Sequence, residues 1–455
     1  MRTTNDTFFI PERRARSEAA KAVVSAVQGR LSQLEAASNA RRRRRKTKDQ
    51  LRHNLMVEAI VCEAIRCRLI HPEAAVAVSL GRERGSRYEP APYGPMKALL
   101  SALGPDGLGL LNVRWGSKQE PGKRGLRTVF EPSEALRDQA RHLSFADFGR
   151  RPGGEPIVLR QAKRSVAQHD SPEVADWFEI WAQTGAGVED LVPYEDSDAA
   201  QQLRADLNHI NAALDAADLS LASCADAAQI DIGDRGLRRM FNNGHSDFRH
   251  GGRLAGGFWM AMPKQLRIGA IRIDGHPVAE LDYRAMMPRL LYASVGRPFP
   301  PDKDPYSICG IPPQHREGVK TLCSALLFGP TALKRWPRGC KSKFPKWMRH
   351  KEALELMRRE HQHVAHKFGS FMGFELLRTE SDILVGLLGR CLDRGIIVLP
   401  IHDAVLCPVH RADEVEMLMR EVFEERTGAA TAVSISAVDD EKLSSTTLKD
   451  LEKVP

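Results

Sequence analysis

The segment GIIVLPIHDAVLCPV, residues 395–409, constrains the fold most strongly. Two apolar stretches flank His402 and Asp403, with too few residues between them for anything but a tight turn. Such a pattern predicts a β-hairpin of two buried strands. Asp403 is therefore expected at the tip of the hairpin, although a His-Asp pair in a turn is also common as turn chemistry alone.

A second strand is predicted to end in an acid. The segment HPVAELDYRAMMPRLLYA, residues 276–293, begins with an apolar strand over 278–281, places Asp282 at its end and continues as an amphipathic helix. Asp282 is thus expected at a strand tip, like Asp403. A simpler alternative is that Asp282 caps the helix that follows it.

Between these segments, HREGVKTLCSALLFG predicts a helix with a cationic face. Arg316, Lys320 and Ser324 recur every four residues and share that face, and Phe328 continues the row. Two cations beside two aspartates suit a nucleoside triphosphate, because the cations hold its phosphates and the acids hold bridging divalent metals. A solvated helix face is the alternative.

Two strand-end aspartates meet a specific chemical need. In two-metal phosphoryl or nucleotidyl transfer, one ion activates the attacking hydroxyl and the other stabilises the leaving group. Mg²⁺ prefers carboxylate oxygens and keeps several waters, so few protein ligands suffice. Asp282 and Asp403 are therefore the candidate ligands of two Mg²⁺ ions, with Mn²⁺ as a substitute.

The order of these motifs resembles the palm and fingers of family A DNA polymerases and of the single-subunit phage-type RNA polymerases. DYRAMMPR is similar to the DNA-polymerase pattern Asp-Tyr-Ser-x-Ile-Glu-Leu-Arg at Asp282, Tyr283 and Arg289. The helix matches an Arg-x-x-x-Lys pattern followed by aromatic-Gly, and His402-Asp403 matches the palm hairpin. The upstream stretch GGRLAGGFWMAMPKQLR is similar to the Gly-Arg-Leu segment before the first motif.

The resemblance implies a role for each matched residue. Asp282 and Asp403 would bind the metals, with the backbone carbonyl of Tyr283 as a further ligand. Arg316 and Lys320 would bind the triphosphate, and Lys320 would stabilise or protonate the departing pyrophosphate. Arg253 and His402 would contact the primer end or the incoming nucleotide. Phe328 would lie near the nascent base pair, and Ser324 would face the nucleotide from the same helix face as Arg316 and Lys320.

Three departures from the family pattern leave the sugar preference open. Met287 stands where the DNA polymerases carry a Glu that discriminates between sugars, so it could block a ribose 2′-hydroxyl only sterically; a core role for Met287 is the alternative. Ser324-Ala325 replaces a Phe-Gly pair, as in the phage-type RNA polymerases. Ala404 replaces the acid that often follows His-Asp.

The N-terminal region is basic and is predicted to bind nucleic acid. A helical pattern over 17–70 is interrupted by a run of cations, and residues 1–150 sum to +12. Such a run neutralises phosphates and releases their counterions, although it can also be a solvated arm. The run comprises Arg41, Arg42, Arg43, Arg44, Arg45 and Lys46.

Residues 93–140 predict a helix, a hairpin with a basic tip and a second helix, which is the outline of a winged helix. A generic α+β packing unit is the alternative. Residues 155–230 are predicted to be mostly helical, and residues 171–230 sum to −11. That acidic region is expected to be a connector or thumb-like scaffold rather than a DNA grip.

The composition of the chain excludes several classes of protein. With 42% hydrophobic and 27% charged residues the 455-residue chain is neither disordered nor a small disulfide scaffold. Eight cysteines without a CxxC pair favour reduced thiols over disulfides or a zinc site. No segment has the apolar length of a signal peptide or a membrane span. We therefore expect a cytoplasmic, nucleoid-associated protein without membrane partners.

Together these patterns predict an α+β protein with a polymerase right-hand palm built on an antiparallel sheet, helical fingers and a winged-helix-like N-terminal module. The predicted divisions are a nucleic-acid-binding module (1–150), a connector (151–247), the palm and fingers (248–430) and a tail (431–455). The expected function is template-directed nucleotidyl transfer, most simply a small DNA polymerase acting on primer-template DNA and nucleoside triphosphates in replication or repair. Two alternatives are an RNA polymerase or primase and a non-catalytic, replication-initiator-like DNA-binding protein.

Overall fold

The computed structural model describes residues 7–38, 43–78, 80, 87–88, 96–117, 127–150, 154–160, 191–222, 230–242, 248–329 and 333–437. The chain divides into two compact units. Unit 1 comprises Met1–Glu155, Leu221–Gly236 and Gly256–Phe258. Unit 2 comprises Pro156–Ser220, Leu237–Ala255 and Trp259–Pro455.

Unit 1 is a mixed unit of helices and short strands. Its helices are α1 (Glu18–Ala37), α2 (Thr47–Ile70), α3 (Met96–Leu103) and α4 (Glu134–Ala140). Its strands are β1 (Thr7–Phe8), β2 (Arg13–Ala15), β3 (Val76–Val78), β4 (Leu111–Arg114), β5 (Thr128–Pro132) and β6 (Phe148–Arg150). Four of the strands form a sheet in the order β1-β3-β5-β4, and β2 pairs with β6.

The local predictions for this region are confirmed. Helices α1 and α2 flank the basic run, and the hydroxyl of Ser17 caps α1 by accepting the backbone N–H of Ala20 at 3.1 Å. The predicted helix, hairpin and helix over 93–140 are α3, the antiparallel β4–β5 pair and α4. The tip of that hairpin lies outside the described residues, so its contact with nucleic acid stays a prediction.

Unit 2 carries both candidate aspartates. Its helices are α5 (Asp198–Ala216), α6 (Lys264–Ala270), α7 (Met286–Ser294), α8 (Arg316–Phe328), α9 (His350–Glu360), α10 (Gly373–Asp393) and α11 (Ala412–Thr427). Its strands are β7 (Ile157–Arg160), β8 (Leu219–Leu221), β9 (Leu237–Asn242), β10 (Gly251–Gly256), β11 (Ile271–Ile273), β12 (His276–Tyr283), β13 (Leu399–Ile401), β14 (Ala404–Pro408) and β15 (Val433–Ser436).

The principal sheet of unit 2 is centred on β12. Its strand order is β13-β14-β12-β11-β8, and β15 also pairs with β12. The pairings of β12 with β11, β14 and β15 are all antiparallel, as the palm prediction requires. Strand β15 lies beyond the predicted end of the palm at residue 430, and it belongs to this sheet because Asp282 pairs in register with Ser434.

The prediction for 155–230 needs correction. The segment Ile157–Arg160 is strand β7, parallel to β9, because its consecutive apolar residues are buried. Helix α5 confirms the helical periodicity, but it packs against α10 and β9, where Asn211 exchanges two hydrogen bonds with the backbone of Leu237 at 2.7 and 2.9 Å. It is thus part of the unit 2 core. Residues 161–190 lie outside the described part.

Helix α10 is the central helix of unit 2 and carries an apolar face that packs on α5, α7 and α11. Leu376, Leu384 and Leu387 are almost completely buried on this face. Two acids of the same helix, Glu380 and Asp382, turn toward arginines of β9 and β10. In the described part of the chain, no helix has both the length and the apolarity to cross a bilayer.

Candidate active site

The sheet brings the two candidate aspartates together. Residue Asp282 of β12 pairs in register with Ala404 of β14, directly after Asp403. The backbone N–H of Tyr283 also donates to the carbonyl of Asp403 at 3.3 Å. Strands β13 and β14 pair from Ile401↔Ala404, so His402 and Asp403 form the predicted two-residue turn. The hairpin prediction is confirmed, and both acids lie at one end of the sheet.

The backbone at the hairpin tip is unusual. His402 has a φ of 54°, in the left-handed region that residues with a side chain rarely adopt. A hairpin of two turn residues requires positive φ, which explains the conformation locally. Strained residues of this kind concentrate at functional sites, where the surrounding structure holds them. The strained backbone of His402 therefore lies directly before Asp403, in the turn that presents this acid.

The charge of Asp282 is only partly compensated by its surroundings. Its Oδ1 atom is buried and accepts no hydrogen bond. Burial raises the pKa of Asp282 to about 7, and the neighbouring Asp403 adds to the increase. The capping alternative fails, because the residue at the start of α7 is Ala285 and no side chain caps that helix. Since buried polar atoms are nearly always bonded, this oxygen is available to a ligand from outside the chain.

The charge of the predicted cationic helix acts on Asp282. The positive charges of Lys264 and Lys320 lower the pKa of Asp282, against the larger effects of burial and Asp403. The side chain of Lys320 is exposed on α8. Lys264 is engaged by Glu280, whose Oε1 lies 2.7 Å from the ammonium. Lys320 therefore contributes positive charge toward Asp282 while remaining open to a ligand.

Arg316 lies one turn before Lys320 and is held by an acid that the motifs did not identify. Its Nε and Nη2 donate to the two carboxylate oxygens of Asp304 at 2.6 and 3.2 Å. Its guanidinium lies over the Tyr306 ring at 5.0 Å. Burial raises the pKa of Tyr306 well above its ordinary value, and Cys323 and Asp403 add to the shift. The group formed by Arg316, Asp304 and Tyr306 therefore lies next to the two acids, Asp282 and Asp403.

Arg289, the third matched residue of DYRAMMPR, has a structural role. Its buried guanidinium donates to the carbonyls of Phe299, Pro300, Pro301 and Lys303 at 2.8–3.3 Å. Its Nε donates to the carbonyl of Arg284 at 2.8 Å. These bonds tie the loop that precedes Asp304 to the start of α7. The first motif therefore supplies both an acid and the anchor of the neighbouring loop.

Arg253 is brought to the site and is paired there. Its guanidinium donates to both oxygens of Glu380, at 2.6 and 3.1 Å. Burial raises the pKa of Glu380, and Asp403 adds to the increase, whereas Arg253 opposes it. Desolvation lowers the pKa of His402, and the charge of Arg253 contributes. The sequence missed Glu380, although an acid within the apolar pattern of α10 marks such a position.

A glycine shapes the strand that carries Arg253. Gly252 has a φ of 93°, and a Cβ there would meet the Phe241 ring at 3.0 Å. The carbonyl of Gly252 accepts a bond from the Nε of Arg239 at 3.1 Å and another from the hydroxyl of Ser381. The Gly-Gly pair before Arg253 therefore serves close packing of β10 on α10.

The other predicted substrate residues, Met287, Ser324 and Phe328, differ in how far they are buried. Met287 and Ser324 are half-buried on α7 and α8, so their predicted contacts with the nucleotide stay predictions. Phe328 is buried, its ring stacks edge-on against Phe374 at 5.3 Å, and it fills the space beside Gly373. The ring is therefore part of the core, and its predicted contact with the nascent base pair stays a prediction.

Tyr283 is also buried, and its hydroxyl donates to the carbonyl of Met419 at 2.7 Å. Its side chain thus anchors the end of β12 on α11. The predicted metal contact involves only its backbone carbonyl and stays a prediction.

The described residues of the basic run in unit 1 divide into one paired arginine and three exposed cations. Arg45 donates to both oxygens of Glu35 at 2.5 and 2.6 Å, which ties it to α1, and its predicted phosphate contact stays a prediction. Arg43, Arg44 and Lys46 are exposed, and their predicted contact with nucleic acid stays a prediction. Arg41 and Arg42 lie outside the described residues.

The acid pair fits divalent cations in its chemistry. Among the described residues no group of three or more His, Cys, Asp or Glu is placed to hold a metal ion. Mg²⁺ nevertheless needs only one or two carboxylates when phosphates and water complete its coordination. The unbonded Oδ1 of Asp282, beside a second carboxylate, is the donor that such an ion would use.

Comparison with known proteins adds little to this geometry. No protein-family model matches the chain, and no curated protein matches it. Among solved structures, the POL domain of Pol1 from M. smegmatis, in complex with a DNA primer-template and dNTP, is similar at 12% identity. The alignment covers 92% of this chain and 68% of that chain, with a TM-score of 0.29. A likeness at this level does not establish a shared fold.

Proposed function

We propose that the chain is a template-directed nucleotidyltransferase, most simply a small DNA polymerase of the family A type. The observation that carries the proposal is the convergence of Asp282 and Asp403 at the paired ends of β12 and β14. The charge of Lys320 on α8 reaches Asp282, and Arg316 lies one turn away. Two neighbouring acids can hold the metals of such a reaction, and two cations on one helix can bind the phosphates.

Each side chain has a defined task in this reaction. Asp282 and Asp403 would hold the metals, which supply Lewis acidity to the attacking hydroxyl and to the leaving pyrophosphate. Lys320 would bind the triphosphate and deliver charge or a proton to the departing pyrophosphate. Arg316 would bind a second phosphate oxygen through its planar donors. Arg253 and His402 would line the primer side of the acids.

The direct test is primer extension by Asp282→Asn and Asp403→Asn. Each substitution removes a metal-binding charge, so we expect Mg²⁺-dependent extension to fall at least about a thousandfold, while binding of primer-template stays within about threefold. Asp393→Asn, which alters an exposed acid at the end of α10, is the matched control and should retain activity. Extension at the wild-type rate by either active-site variant would contradict the proposal.

The same assay decides between nucleotide classes. Met287 occupies the position of the sugar-discriminating Glu, and its half-buried side chain can exclude a 2′-hydroxyl only by its volume. We expect dNTPs to be incorporated in preference to NTPs, with Met287→Ala reducing that preference. A preference for NTPs in the wild type would instead identify an RNA polymerase or primase, with the acid pair retaining its role.

A further inference from the structure

Arg316, the first phosphate-binding cation of the proposed site, is already occupied by an acid of its own chain. The Nε and Nη2 of Arg316 both donate to Asp304 in a side-on, two-point contact. The guanidinium also lies over the Tyr306 ring, and Glu317 lies 3.6 Å from its Nη1. A side-on carboxylate uses the same donors that would bind two oxygens of a phosphate.

Asp304 is presented to Arg316 on a rigid loop. Its Oδ1 also accepts the backbone N–H of Tyr306 at 3.1 Å, and its carbonyl accepts the N–H of Ser307 at 3.0 Å. Arg289 fixes the preceding residues through their carbonyls. Hydrogen bonds from Arg316 and from this backbone lower the pKa of Asp304, against the opposing effect of burial. Asp304 is thus an acid held in position by hydrogen bonds from Arg316 and from the backbone of its own loop.

The two cations of α8 therefore differ in state. Lys320 forms no ion pair with a described carboxylate within 4.0 Å, whereas the Nε and Nη2 of Arg316 are both bonded to Asp304. Asp304 keeps 29% of its side chain exposed and Arg316 keeps 44%, so solvent and a phosphate group can both reach the pair. A triphosphate that uses Arg316 must therefore displace or repel the Asp304 carboxylate.

We propose that Asp304 is an internal competitor of the nucleotide phosphates for Arg316. This inference rests on the proposed function, since it assigns a ligand to the same cationic helix. Asp304 holds the guanidinium beside Tyr306 in the nucleotide-free state and yields it to the triphosphate. The competition weakens the binding of the triphosphate and, for the same reason, that of the pyrophosphate product. Asp304 therefore sets nucleotide affinity and eases product release without contacting the reacting atoms.

The test is the substitution Asp304→Asn, which removes the charge and keeps an oxygen for the Tyr306 N–H. We expect the Kd of Mg²⁺·dATP and the inhibition constant of inorganic pyrophosphate to fall together by about two- to fivefold, the range of a partly exposed ion pair. The KM for dNTP should fall, and kcat should stay level or decrease. A weaker binding of both ligands, or no change in either, would overturn the proposal.

Two controls separate this result from general effects. Asp302→Asn removes the same charge from the same loop, where Asp302 is exposed and does not contact Arg316, and should change both constants less than twofold. Asp304→Ser is the second substitution if Asp304→Asn folds poorly, and it carries the same expectation. The double variant Asp304→Asn with Arg316→Ala should lose the gain in affinity, because it lacks the guanidinium for which Asp304 and the phosphates compete.

Failure of this inference differs from failure of the proposed function. If the wild type extends primers and Asp282→Asn does not, but Asp304→Asn leaves both constants unchanged, only the competition is wrong. If no wild-type extension is observed in any nucleotide, the proposed function is wrong, and binding of inorganic triphosphate by Asp304→Asn still tests the competition for Arg316.

Discussion

Two aspartates of unit 2 have opposite surroundings. Asp382 of α10 accepts bonds from three arginines: Arg239, Arg378 at 2.9 and 3.0 Å, and Arg426 at 2.7 Å. These partners lower the pKa of Asp382, although burial opposes the shift. Asp282 of β12 has a buried oxygen without a hydrogen bond, and among its charged neighbours the acid Asp403 has the largest effect on its pKa.

The difference separates an acid that stabilises the fold from one held ready for a ligand. The carboxylate of Asp382 joins β9, α10 and α11 through cations of the same chain. That of Asp282 contributes no comparable contact and faces like charge. Stability and activity often conflict at such positions, because the negative charge of a cation-binding site is not neutralised by the chain when the cations are absent. The following measurements compare the two aspartates directly.

The largest expected effect is on the fold. Asp382→Ala leaves three arginines facing one another, so we expect the free energy of unfolding to fall by about 3–5 kcal/mol. Urea denaturation followed by circular dichroism measures the change. Asp393→Ala, an exposed acid at the end of the same helix, is the control and should cost less than about 0.5 kcal/mol. A similar cost for both variants would show that the arginine cluster does not stabilise unit 2.

The pH dependence of stability should follow the same cluster. Because the pKa of Asp382 is lowered on folding, its contribution is present in full above the pKa of unfolded aspartate, near 3.8. It is lost as the pH falls through the lower pKa of the folded state. The difference in unfolding free energy between wild type and Asp382→Asn should therefore shrink on acidification. A difference that grows on acidification has the wrong sign for this account.

The smallest effect has the opposite direction. In the absence of divalent metal, Asp282→Asn removes repulsion with Asp403, so we expect a gain in stability of about 1 kcal/mol, or about 2 °C in the unfolding temperature. Thermal unfolding with and without Mg²⁺ measures it, and the stabilisation of the wild type by Mg²⁺ should be lost in the variant. A fall in the unfolding temperature of the metal-free variant would assign Asp282 a structural role like that of Asp382.

Features set by short stretches of sequence were predictable. The hairpin around His402-Asp403, the strand that ends at Asp282 and the helix from Arg316 follow from alternation, turn length and helical spacing. The convergence of the acids was inferred from a family resemblance, and the register of β12 with β14 confirms that they are neighbours. The metal and nucleotide roles of these residues stay predictions.

Features set by distant packing were missed. Phe328 is buried because Phe374 and Gly373 of another helix receive its ring. Asp304, Glu380 and Glu35 gain their roles only when folding brings Arg316, Arg253 and Arg45 to them. Strand β7 was assigned to a helical region because its four residues are too few to show a period. No pattern along the chain specifies such partners.

The strand pairing around β12 determines when the acid pair can exist during biosynthesis. Asp282 lies beside Ala404 on one side and Ser434 on the other, and its carbonyl accepts the Ser434 hydroxyl across 152 residues of sequence. Contacts so distant form late, because a long loop must close before they gain any stability. A ribosome-bound chain that has just exposed Asp282 therefore lacks both of its neighbours. The two acids can therefore meet only after translation has passed β14.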